Sequence, residues 1–522
     1  NKPKHIGVDW LNTMQKIIWL LLGGLVMVVG LGLVPLHQTT MIKATVAKTL
    51  PNGAQFVPSE CWFTNTTNLS VSCGWLHTAP PQTGAPSAFR LPVVIMRHAG
   101  LGHQPDPLVY LAGGPGSAAW LDKDGVENHW LAWFEQKYAM KRDLILFDQR
   151  GTGMSEPALG CQAYRDLSAS VLSNPGTPTD NARRYLEVSQ QCQEQLTQAK
   201  QPLNELGTHL SAQDVNDLLT LLDYQQSNLL GVSYGTRLAL EIQRRFPERV
   251  RSLTLDSLYP LGEHLLRDWP ELLNNSLQRL FQYCTADERC LLENGDIETR
   301  YNALMAQLRT TPLRIPVADL QLGNLQELQL NDEILLAMLF DAQYNSHQLK
   351  YLPSFIRHLQ EGRIDLAREY INNYLYHQFD AAFREPVFWA VECSDNPAIS
   401  RDSMVAKVDT YPHLRYYLPA DYDMCSVWNK NRQHPGLQVS AERLTVPSLI
   451  LSGEDDPITP AAWAAKAATK QFAEDSTYLF RFSGIAHSVL DNKPCASDLF
   501  IGFINDPTQR PRADCRLDKP QD

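Results

Sequence analysis

The chain has 522 residues, of which 44% are hydrophobic and 20% are charged, and 57 acidic side chains against 46 basic ones give a formal charge of −11. This composition is that of an ordinary globular protein, and it excludes a disordered, collagenous or coiled-coil chain. The acidic balance also argues against nucleic acid as a partner, because phosphate binding requires clustered Lys and Arg.

The first element in chain order is an apolar run from Ile17 to Val34 that carries no charged residue and is preceded by Lys2, Lys4 and Lys16. Basic residues on this side predict that the N-terminal end stays in the cytoplasm and that the rest of the chain is exported. The run is slightly short for a spanning helix, which needs about 20 apolar residues. A cleaved signal and a retained anchor both remain open, and we favour the anchor because no convincing small-residue cleavage site follows. We expect a periplasmic or extracellular protein that touches the membrane only through residues 17–34, if they are retained.

The ten cysteines all lie beyond this apolar run. An even number of cysteines in an exported chain indicates disulfides rather than free thiols. No Cys-x-x-Cys and no Cys/His cluster has the spacing of zinc ligands, so we predict neither a metal site nor a cofactor. The simplest hypothesis pairs the cysteines that are neighbours in sequence, namely Cys61 with Cys73, Cys161 with Cys192, Cys284 with Cys290, Cys393 with Cys425, and Cys495 with Cys515.

After Pro86, short apolar runs alternate with longer helical patterns, which is typical of a mostly parallel sheet with helices on both faces. The spacing of Ser211 and Asp214 is that of a capping box and predicts a helix from Ser211 to Leu222. A second helix is predicted from Tyr234 to Arg245, because Pro247 follows. The predicted strands are 91–96, 108–111, 144–147, 228–232, 250–255, 446–451 and 478–482.

Between Leu255 and Val446 the strand pattern disappears and helical patterns dominate, for example at 333–340, 349–362 and 366–375. We interpret this region as a helical lid domain inserted into the sheet domain. The tail after Asp506 is polar and would be loose unless Cys515 is bonded. The predicted division is a signal or anchor segment at 1–47, the first part of the core at 48–256, the lid at 257–444, and the second part of the core at 445–522.

Two glycine-rich turns follow predicted strands. In Gly231-Val232-Ser233-Tyr234-Gly235, a sharp strand-to-helix turn would expose the Ser oxygen, and the flanking glycines would let strand and helix approach closely. The N–H of Tyr234 would lie at a helix N-terminus, where it favours a developing oxyanion. The earlier glycine-rich loop 112–116 lacks the Lys-Ser/Thr of a phosphate loop. Its glycines have no side chain, so a backbone N–H could face a reacting carbonyl. We therefore predict that Gly113 or Gly114 supplies a second oxyanion donor.

A Ser nucleophile needs a base, and the base needs a carboxylate that orients it. Both candidates follow late predicted strands. The run that ends at Phe482 is followed by His487, which we predict as the base. The run that ends at Leu451 is followed by Glu454, Asp455 and Asp456, and the residues alone leave the choice within this acidic triplet open.

Four motifs follow one another at the ends of predicted strands. They are Gly-Gly-Pro-Gly at 113–116, Asp-Gln-Arg-Gly-Thr-Gly at 148–153, Gly-Val-Ser-Tyr-Gly-Thr at 231–236 and Asp-Pro-Ile-Thr-Pro at 456–460. With these motifs, the sequence resembles the α/β-hydrolase serine exopeptidases of the tripeptidyl aminopeptidase and proline iminopeptidase type, over about residues 107–503. The resemblance implies the α/β-hydrolase fold with an inserted helical lid and a C-terminal region like that of the tripeptidyl aminopeptidases. It also implies Ser233 as nucleophile, Asp456 as orienting acid and His487 as base, with an oxyanion hole from Tyr234 and the Gly113-Gly114 loop.

Three residues depart from the proline iminopeptidase pattern. Ala112 stands in place of a His, Tyr234 in place of a Trp, and Ala486 where a Gly usually precedes the catalytic His. The first two favour the tripeptidyl side of the family and count against strict proline specificity.

An aminopeptidase must recognise a free ammonium group, and carboxylates in a semi-enclosed pocket do this most simply. The segment 390–395 resembles a family segment near the site, so we predict Glu392 and Asp395 as ammonium anchors. The alternative is a solvated acidic pair beside a bridged Cys393. Asp148 and Arg150 are expected to form a structural ion pair that braces the active-site loops.

The first functional hypothesis is an exported peptidase that removes short pieces from peptides with a free N-terminus through an acyl-enzyme. A carboxylesterase, or another ester or amide hydrolase, would use the same three residues without an anchor for positive charge. A third hypothesis is an inactive binding or scaffold protein on a hydrolase fold.

Overall fold

The computed structural model describes residues 47–81, 86–397, 399–414, 416, 423–429, 436–513 and 515. The apolar run from Ile17 to Val34, on which the prediction of a signal or anchor rests, lies outside these residues. Among the residues that are described, no helix has the length and apolar character needed to cross a membrane.

The central sheet has ten strands in the order β1-β2-β3-β4-β6-β5-β7-β8-β11-β12, and β9 and β10 form a separate antiparallel pair. From β6 to β12 the neighbours in the large sheet are parallel, whereas β1 to β4 form an antiparallel extension that joins at β6. The strands are β1 Lys48–Thr49, β2 Gln55–Ser59, β3 Ser70–His77, β4 Arg90–Arg97, β5 Leu108–Leu111, β6 Leu144–Phe147, β7 Ser227–Val232, β8 Val250–Asp256, β9 Leu313–Pro316, β10 Glu327–Leu330, β11 Ser448–Gly453 and β12 Thr477–Phe482.

Helices connect the parallel strands and fill the region between β8 and β11. The α-helices are α1 Lys123–Gly125, α2 Leu131–Gln136, α3 Gln162–Ser173, α4 Pro178–Gln198, α5 Thr208–Leu221, α6 Tyr234–Arg245, α7 Leu265–Ala286, α8 Glu288–Asn294, α9 Ile297–Thr310, α10 Asp332–Ala342, α11 Ser346–Leu349, α12 Leu352–Gln360, α13 Ile364–Gln378, α14 Glu385–Asp395, α15 Arg401–Asp409, α16 Met424–Trp428, α17 Ala461–Lys470, α18 Val489–Asn492 and α19 Pro494–Asn505.

The hydrophobic core lies on both faces of the sheet, because the parallel strands are apolar along their whole length. Alternate residues of β6 show this division. Ile145 and Phe147 pack into a cluster on one face, and Leu144 and Leu146 pack into a cluster on the other. The helices between β8 and β11 share a further cluster of their own, which includes Leu304, Leu335 and Ile371 among others. The faces of the sheet are thus covered by apolar side chains. In sheets of this kind, polar functional side chains lie at the edge formed by the carboxyl ends of the parallel strands.

The predicted strands of the parallel sheet are confirmed, with the run at 446–451 shifted to Ser448–Gly453. The helix Tyr234–Arg245 is also confirmed. Two parts of the sheet were not predicted. The N-terminal strands β1 to β3 include polar and small residues such as Ser72 and Gly74, which hide the apolar pattern, and the β9–β10 pair lies in a region that reads as helical.

The capping box predicted at Ser211 is wrong. The helix begins one turn earlier, at Thr208, and Gly207 is its N-terminal cap residue. Ser211 and Asp214 are both buried inside this helix. Asp214 receives two hydrogen bonds from the guanidinium of Arg150, at 2.6 and 2.7 Å, so a buried tertiary partner has replaced the local one.

All ten cysteines form the disulfides predicted from their order in the sequence, Cys61–Cys73, Cys161–Cys192, Cys284–Cys290, Cys393–Cys425 and Cys495–Cys515. The last of these attaches Cys515, beyond the polar tail, to the start of α19.

Candidate active site

Ser233 occupies the turn between β7 and α6. Its backbone has φ 56° and ψ −123°, in a region that side-chain-bearing residues rarely adopt. The two glycines that flank it are required by close packing. A Cβ at Gly231 would lie 2.4 Å from the carbonyl oxygen of Gly235, and a Cβ at Gly235 would lie 1.9 Å from that of Leu111. The Gly-x-Ser-x-Gly motif therefore forms the strained elbow that was predicted for a nucleophile.

The loop after β5 lies directly against this elbow. A Cβ at Gly113 would be 3.2 Å from Cβ of Ser233 and 3.8 Å from its Oγ. Gly114 has φ 103°, which a residue with a side chain would adopt only with strain. The side chain of Gln149 donates a hydrogen bond of 3.0 Å to the carbonyl of Ala112 and so holds the loop. The loop is placed where a second oxyanion donor is needed, beside the free N–H groups at the start of α6.

His487 and Asp456, which follow different strands, meet at the same sheet edge. Nδ1 of His487 lies 2.8 Å from Oδ2 of Asp456. The carboxylate of Asp456 is fully buried and also accepts the N–H groups of Ile458 and Thr459 and the hydroxyl of Thr459. Nε2 of His487 is therefore the ring nitrogen that remains to exchange a proton, while Asp456 fixes the orientation of the ring.

Burial and charge act in opposite directions on this pair. Burial alone would raise the pKa of the Asp456 carboxyl, but the charge and hydrogen bonds of His487 and Thr459 outweigh burial and lower the pKa below its usual value. Burial likewise opposes the charged imidazole, yet the neighbouring Asp456 raises the pKa of His487 above its ordinary value of 6.5. The environment thus stabilises the imidazolium that a general base must become.

Asp256, at the end of β8, connects the turn that carries Ser233 to the loop after His487, and the sequence analysis did not identify it. Its carbonyl accepts the N–H of Ser233 at 2.9 Å. Its buried carboxylate accepts the N–H groups of Val489 and Leu490, both at 2.8 Å, in the loop that follows His487. Burial raises the pKa of Asp256 to about 6. An acidic residue directly after a predicted strand was the signal that could have indicated it.

Ser233 and His487 line one cavity of about 890 Å³. Its walls also carry the carboxylates of Asp256, Asp380 and Asp491, and no Lys or Arg side chain from the described residues lines it. Most of the remaining wall is aromatic, from Tyr110, Trp120, Trp130, Trp133, Trp269, Tyr344, Phe383 and Phe388. This cavity is suited to a partly apolar ligand with positive charge.

A second cavity, of about 470 Å³, lies among the helices between β8 and β11. Trp269 and Tyr344 line both cavities. The ring of Tyr344 also packs edge-on against His487, with the ring centres 5.3 Å apart. These two aromatic side chains therefore form the boundary between the two cavities.

Glu392 and Asp395, predicted as ammonium anchors, do not line the cavity that contains Ser233. Glu392 is fully buried and accepts hydrogen bonds from the hydroxyl of Tyr259 at 2.7 Å and the amide of Asn396 at 3.0 Å. Asp395 is also buried and accepts the hydroxyl of Thr208 at 2.6 Å. Because both side chains are buried, the alternative of a solvated acidic pair is wrong.

Both buried carboxylates interact with one buried cation, the guanidinium of Arg237. Arg237, on α6, is almost fully buried, and its charge opposes the rise in pKa that burial causes at Glu392 and Asp395. Its guanidinium stacks 3.4 Å above the ring of Tyr259. The two carboxylates connect α14 to Tyr259 and to Thr208 at the start of α5.

Asp148 and Arg150 brace the active-site loops, but they do not pair with each other as predicted. The carboxylate of Asp148 accepts the N–H groups of Ala119 and Met154, at 2.7 and 2.8 Å. Burial raises its pKa to about 6. Arg150 pairs with Asp214, on α5. Within the part of the chain that the structure describes, no group of three or more His, Cys, Asp or Glu side chains could hold a metal ion.

Residues 106–324 match a family model described as alpha/beta hydrolase fold, and residues 412–515 match one described as TAP-like protein. The first match and the observed strand order confirm the predicted α/β-hydrolase fold with a mostly parallel central sheet.

Curated relatives are similar at low identity. A tripeptidyl aminopeptidase of Streptomyces lividans is 28% identical over 196 residues, which cover 36% of this chain and 35% of that protein. The match thus spans about a third of that relative's length. Serine protease Hip1 of Mycobacterium tuberculosis is 23% identical, over 82% of this chain and 84% of that protein. Carboxylesterase B of Mycobacterium tuberculosis is 24% identical, over 94% of this chain and 95% of that protein.

Proposed function

We propose that this protein is an exported serine hydrolase that releases short N-terminal pieces from peptides. Ser233 would be the nucleophile, His487 the general base and Asp456 the group that orients the base. One observation carries the proposal: His487 is hydrogen-bonded to Asp456 at 2.8 Å and lines the same cavity as a serine on a strained strand-to-helix turn. The five disulfides of the protein support the proposed export, because disulfides persist in oxidising compartments outside the cytoplasm.

In the first half of the proposed reaction, Oγ of Ser233 attacks the scissile carbonyl carbon and its proton passes to Nε2 of His487. Asp456 stabilises the resulting imidazolium. The N–H of Tyr234 and an N–H of the Gly113-Gly114 loop stabilise the oxyanion. The tetrahedral intermediate then collapses, the C–N bond breaks, and His487 returns the proton to the leaving amine.

The acyl-enzyme left on Ser233 is hydrolysed by the same groups. His487 takes a proton from water, whose oxygen attacks the acyl carbon and forms a second tetrahedral intermediate. The ester bond to Ser233 breaks, and the proton on His487 returns to Oγ. The products are a free acid and the regenerated serine.

The charge of the cavity supports a peptide with a free N-terminus. An α-ammonium group is favoured by a wall with three carboxylates and no described Lys or Arg side chain, because the low dielectric of a semi-enclosed site strengthens the attraction. A carboxylesterase is the second candidate. The similarity to carboxylesterase B over 94% of the chain favours it, and a neutral ester needs no negative wall.

Acetylation of the substrate separates these two functions. We expect the protein to hydrolyse a peptide amide with a free N-terminus at least about tenfold faster, in kcat/KM, than the same amide with an acetylated N-terminus. Equal rates on the two amides, together with fast hydrolysis of a neutral ester, would leave the esterase and eliminate the aminopeptidase.

Ser233→Ala tests the nucleophile. This variant should fold normally and lose about 10⁶-fold in kcat, because no other hydroxyl makes the covalent bond. Ser117→Ala, which removes another hydroxyl from the same cavity wall, is the matched control. A phosphonate probe should label the wild type and Ser117→Ala but not Ser233→Ala. An unreactive Ser233 in the wild type would instead support an inactive scaffold protein.

A further inference from the structure

The three carboxylates of the larger cavity differ in what they already bind. Both oxygens of Asp256 accept backbone N–H groups of the loop after His487. Asp380 accepts the N–H of Ala382 at 2.8 Å and lies beside His377, whose charge it favours. Asp491 is hydrogen-bonded to Ser488, within its own turn. In the described part of the chain, Asp491 forms no ion pair with Lys or Arg.

Asp491 is held in a fixed position relative to the proposed base. It belongs to α18, the helical turn that follows His487. The N–H groups of Val489 and Leu490 are bound by Asp256, and the amide of Asn492 donates to the carbonyls of His487 and Ser488, at 3.0 and 2.8 Å. A ligand held by Asp491 would therefore keep a constant position with respect to the imidazole.

Three basic side chains, His129, Lys137 and His487, favour the charged form of Asp491, but burial outweighs them. Burial lowers the pKa of His129, so this neighbour is mostly neutral at neutral pH. Lys137 is buried behind the cavity wall with its Nζ 5.5 Å from the ring centre of Trp133, and it is shared with Asp498. Burial in turn raises the pKa of Asp491, because its charged form lacks full solvation. A cation entering the cavity would restore that stabilisation.

The aromatic part of the cavity that contains Asp491 suits an organic cation. Trp120, His129 and Trp130 form a chain of edge-to-face ring contacts, with centres 5.4 and 4.9 Å apart. All three line the cavity. Aromatic faces attract ammonium groups, and more strongly when water is excluded. A carboxylate beside aromatic rings is a chemistry that recognises a primary ammonium group in preference to a neutral one.

We infer that the cavity contains a binding site for a primary ammonium group, in which Asp491 is the counter-ion, and that this site receives the α-ammonium of peptide substrates. This inference rests on the proposed aminopeptidase function. It replaces Glu392 and Asp395, which are buried and do not line the cavity, with a residue that lines the same cavity as Ser233.

Asp491→Asn tests this site, since Asn keeps the shape of the side chain and removes its charge. The measurement is kcat/KM for a dipeptidyl amide with a free N-terminus and for the same amide acetylated. We expect the ratio of the two values to fall about 10- to 100-fold, mainly through KM of the free-amine substrate. Any effect of the lost charge on His487 acts on both substrates and cancels in the ratio.

Two matched variants complete the experiment. Asp498→Asn removes another carboxylate that interacts with Lys137 but does not line the cavity, and it should leave the ratio unchanged. Asp380→Asn removes the competing carboxylate of the cavity. Competitive inhibition by n-butylamine gives a second readout, and its inhibition constant should rise about tenfold or more in Asp491→Asn alone.

The possible failures are distinct. If the wild type does not discriminate between free and acetylated substrates, the proposed function itself fails. If the wild type discriminates and Asp491→Asn discriminates equally well, only the inference about Asp491 is overturned. A loss of discrimination in Asp380→Asn instead of Asp491→Asn would also overturn it. Phosphonate labelling of each variant establishes that the protein is folded.

Discussion

Burial and the neighbouring carboxylates shift the pKa of His487 in opposite directions. Burial favours the neutral ring, while Asp456 at 2.8 Å and the more distant Asp256 and Asp491 favour the charged ring and prevail. Since an imidazolium cannot accept the proton of Ser233, the activity of the protein should fall as the pH drops through this raised pKa.

This balance gives a prediction for the pH profile. In the wild type, the acid limb of kcat/KM should have an apparent pKa above the ordinary 6.5 of histidine. Asp256→Asn should move the limb to lower pH, because it removes one of the charges that favour the imidazolium. Ser257→Ala is the control, since Ser257 accepts the N–H of Ser488 in the same loop without carrying charge. Ser257→Ala should lower kcat and leave the apparent pKa of the acid limb unchanged. An acid limb at or below 6.5 in the wild type would contradict the prediction.

Sequence reasoning predicted the residues whose roles depend on local motifs and missed those whose roles depend on packing. Ser233 follows from its glycine-flanked turn, and His487 from its position after a late strand. Choosing Asp456 within its acidic triplet required the family resemblance. The burial of Glu392, outside the lining of the cavity, could not be predicted because it depends on how α14 packs. That Asp491 lines the cavity could not be predicted, because it depends on how the loop after His487 folds.

At the scale of elements, helices α5, α6 and α14 are connected through one buried hydroxyl. The side chain of Thr208, at the start of α5, donates to Asp395 of α14 at 2.6 Å. The same oxygen lies 2.5 Å from the hydroxyl of Tyr234, at the start of α6. Burial raises the pKa of Asp395 to about 7, so this carboxylate depends on its hydrogen-bond donors. The position of the Tyr234 backbone, a proposed oxyanion donor, is thus coupled to the helical region.

Thr208→Val tests this connection, because it keeps the shape of the side chain and removes the hydroxyl. The free energy of unfolding should fall by about 1–3 kcal/mol, since Asp395 and Tyr234 each lose a buried partner. The value of kcat should fall as well, because Tyr234 is then less firmly held. Thr208→Ser retains the hydroxyl and should restore most of both. Urea unfolding and steady-state kinetics measure the two effects, and a stable Thr208→Val variant with unchanged kcat would show that the network is dispensable.

Elements with a continuous local pattern could be predicted from the sequence, whereas elements that depend on tertiary packing could not. Buried parallel strands and α6 have continuous local patterns, so they were predicted. The start of α5 was misplaced because Ser211 and Asp214 resemble a cap in sequence, whereas Arg150 draws Asp214 into the interior. The short β9–β10 pair is stabilised by the surrounding helices, which no local pattern reveals.

For the whole molecule, the disulfides close chain segments of very different length. Cys161–Cys192 and Cys393–Cys425 are separated by 31 and 32 residues, whereas Cys284–Cys290 is separated by only 6. A cross-link stabilises a protein mainly by restricting the unfolded chain, and it does so more strongly for a longer loop. The bridge that connects the start of α3 to α4 and the bridge that connects α14 to α16 should therefore contribute most.

This difference can be measured by removing one bridge at a time. Replacing Cys161 and Cys192 by Ser should lower the free energy of unfolding by about 1–2 kcal/mol more than replacing Cys284 and Cys290 by Ser, from the ratio of loop lengths alone. Urea denaturation of the two double variants gives the comparison. Equal losses would mean that local packing, and not chain entropy, determines how each bridge stabilises the fold.

Trp269 and Tyr344 line both cavities and lie between them. A substrate too long for the larger cavity could extend into the second cavity only if one of these two rings moved. Tyr344 is also the ring that rests against His487, so its displacement would disturb the base during the reaction. For the proposed hydrolase, a replacement of Tyr344 would therefore change two things at once, the space between the cavities and the ring contact with His487.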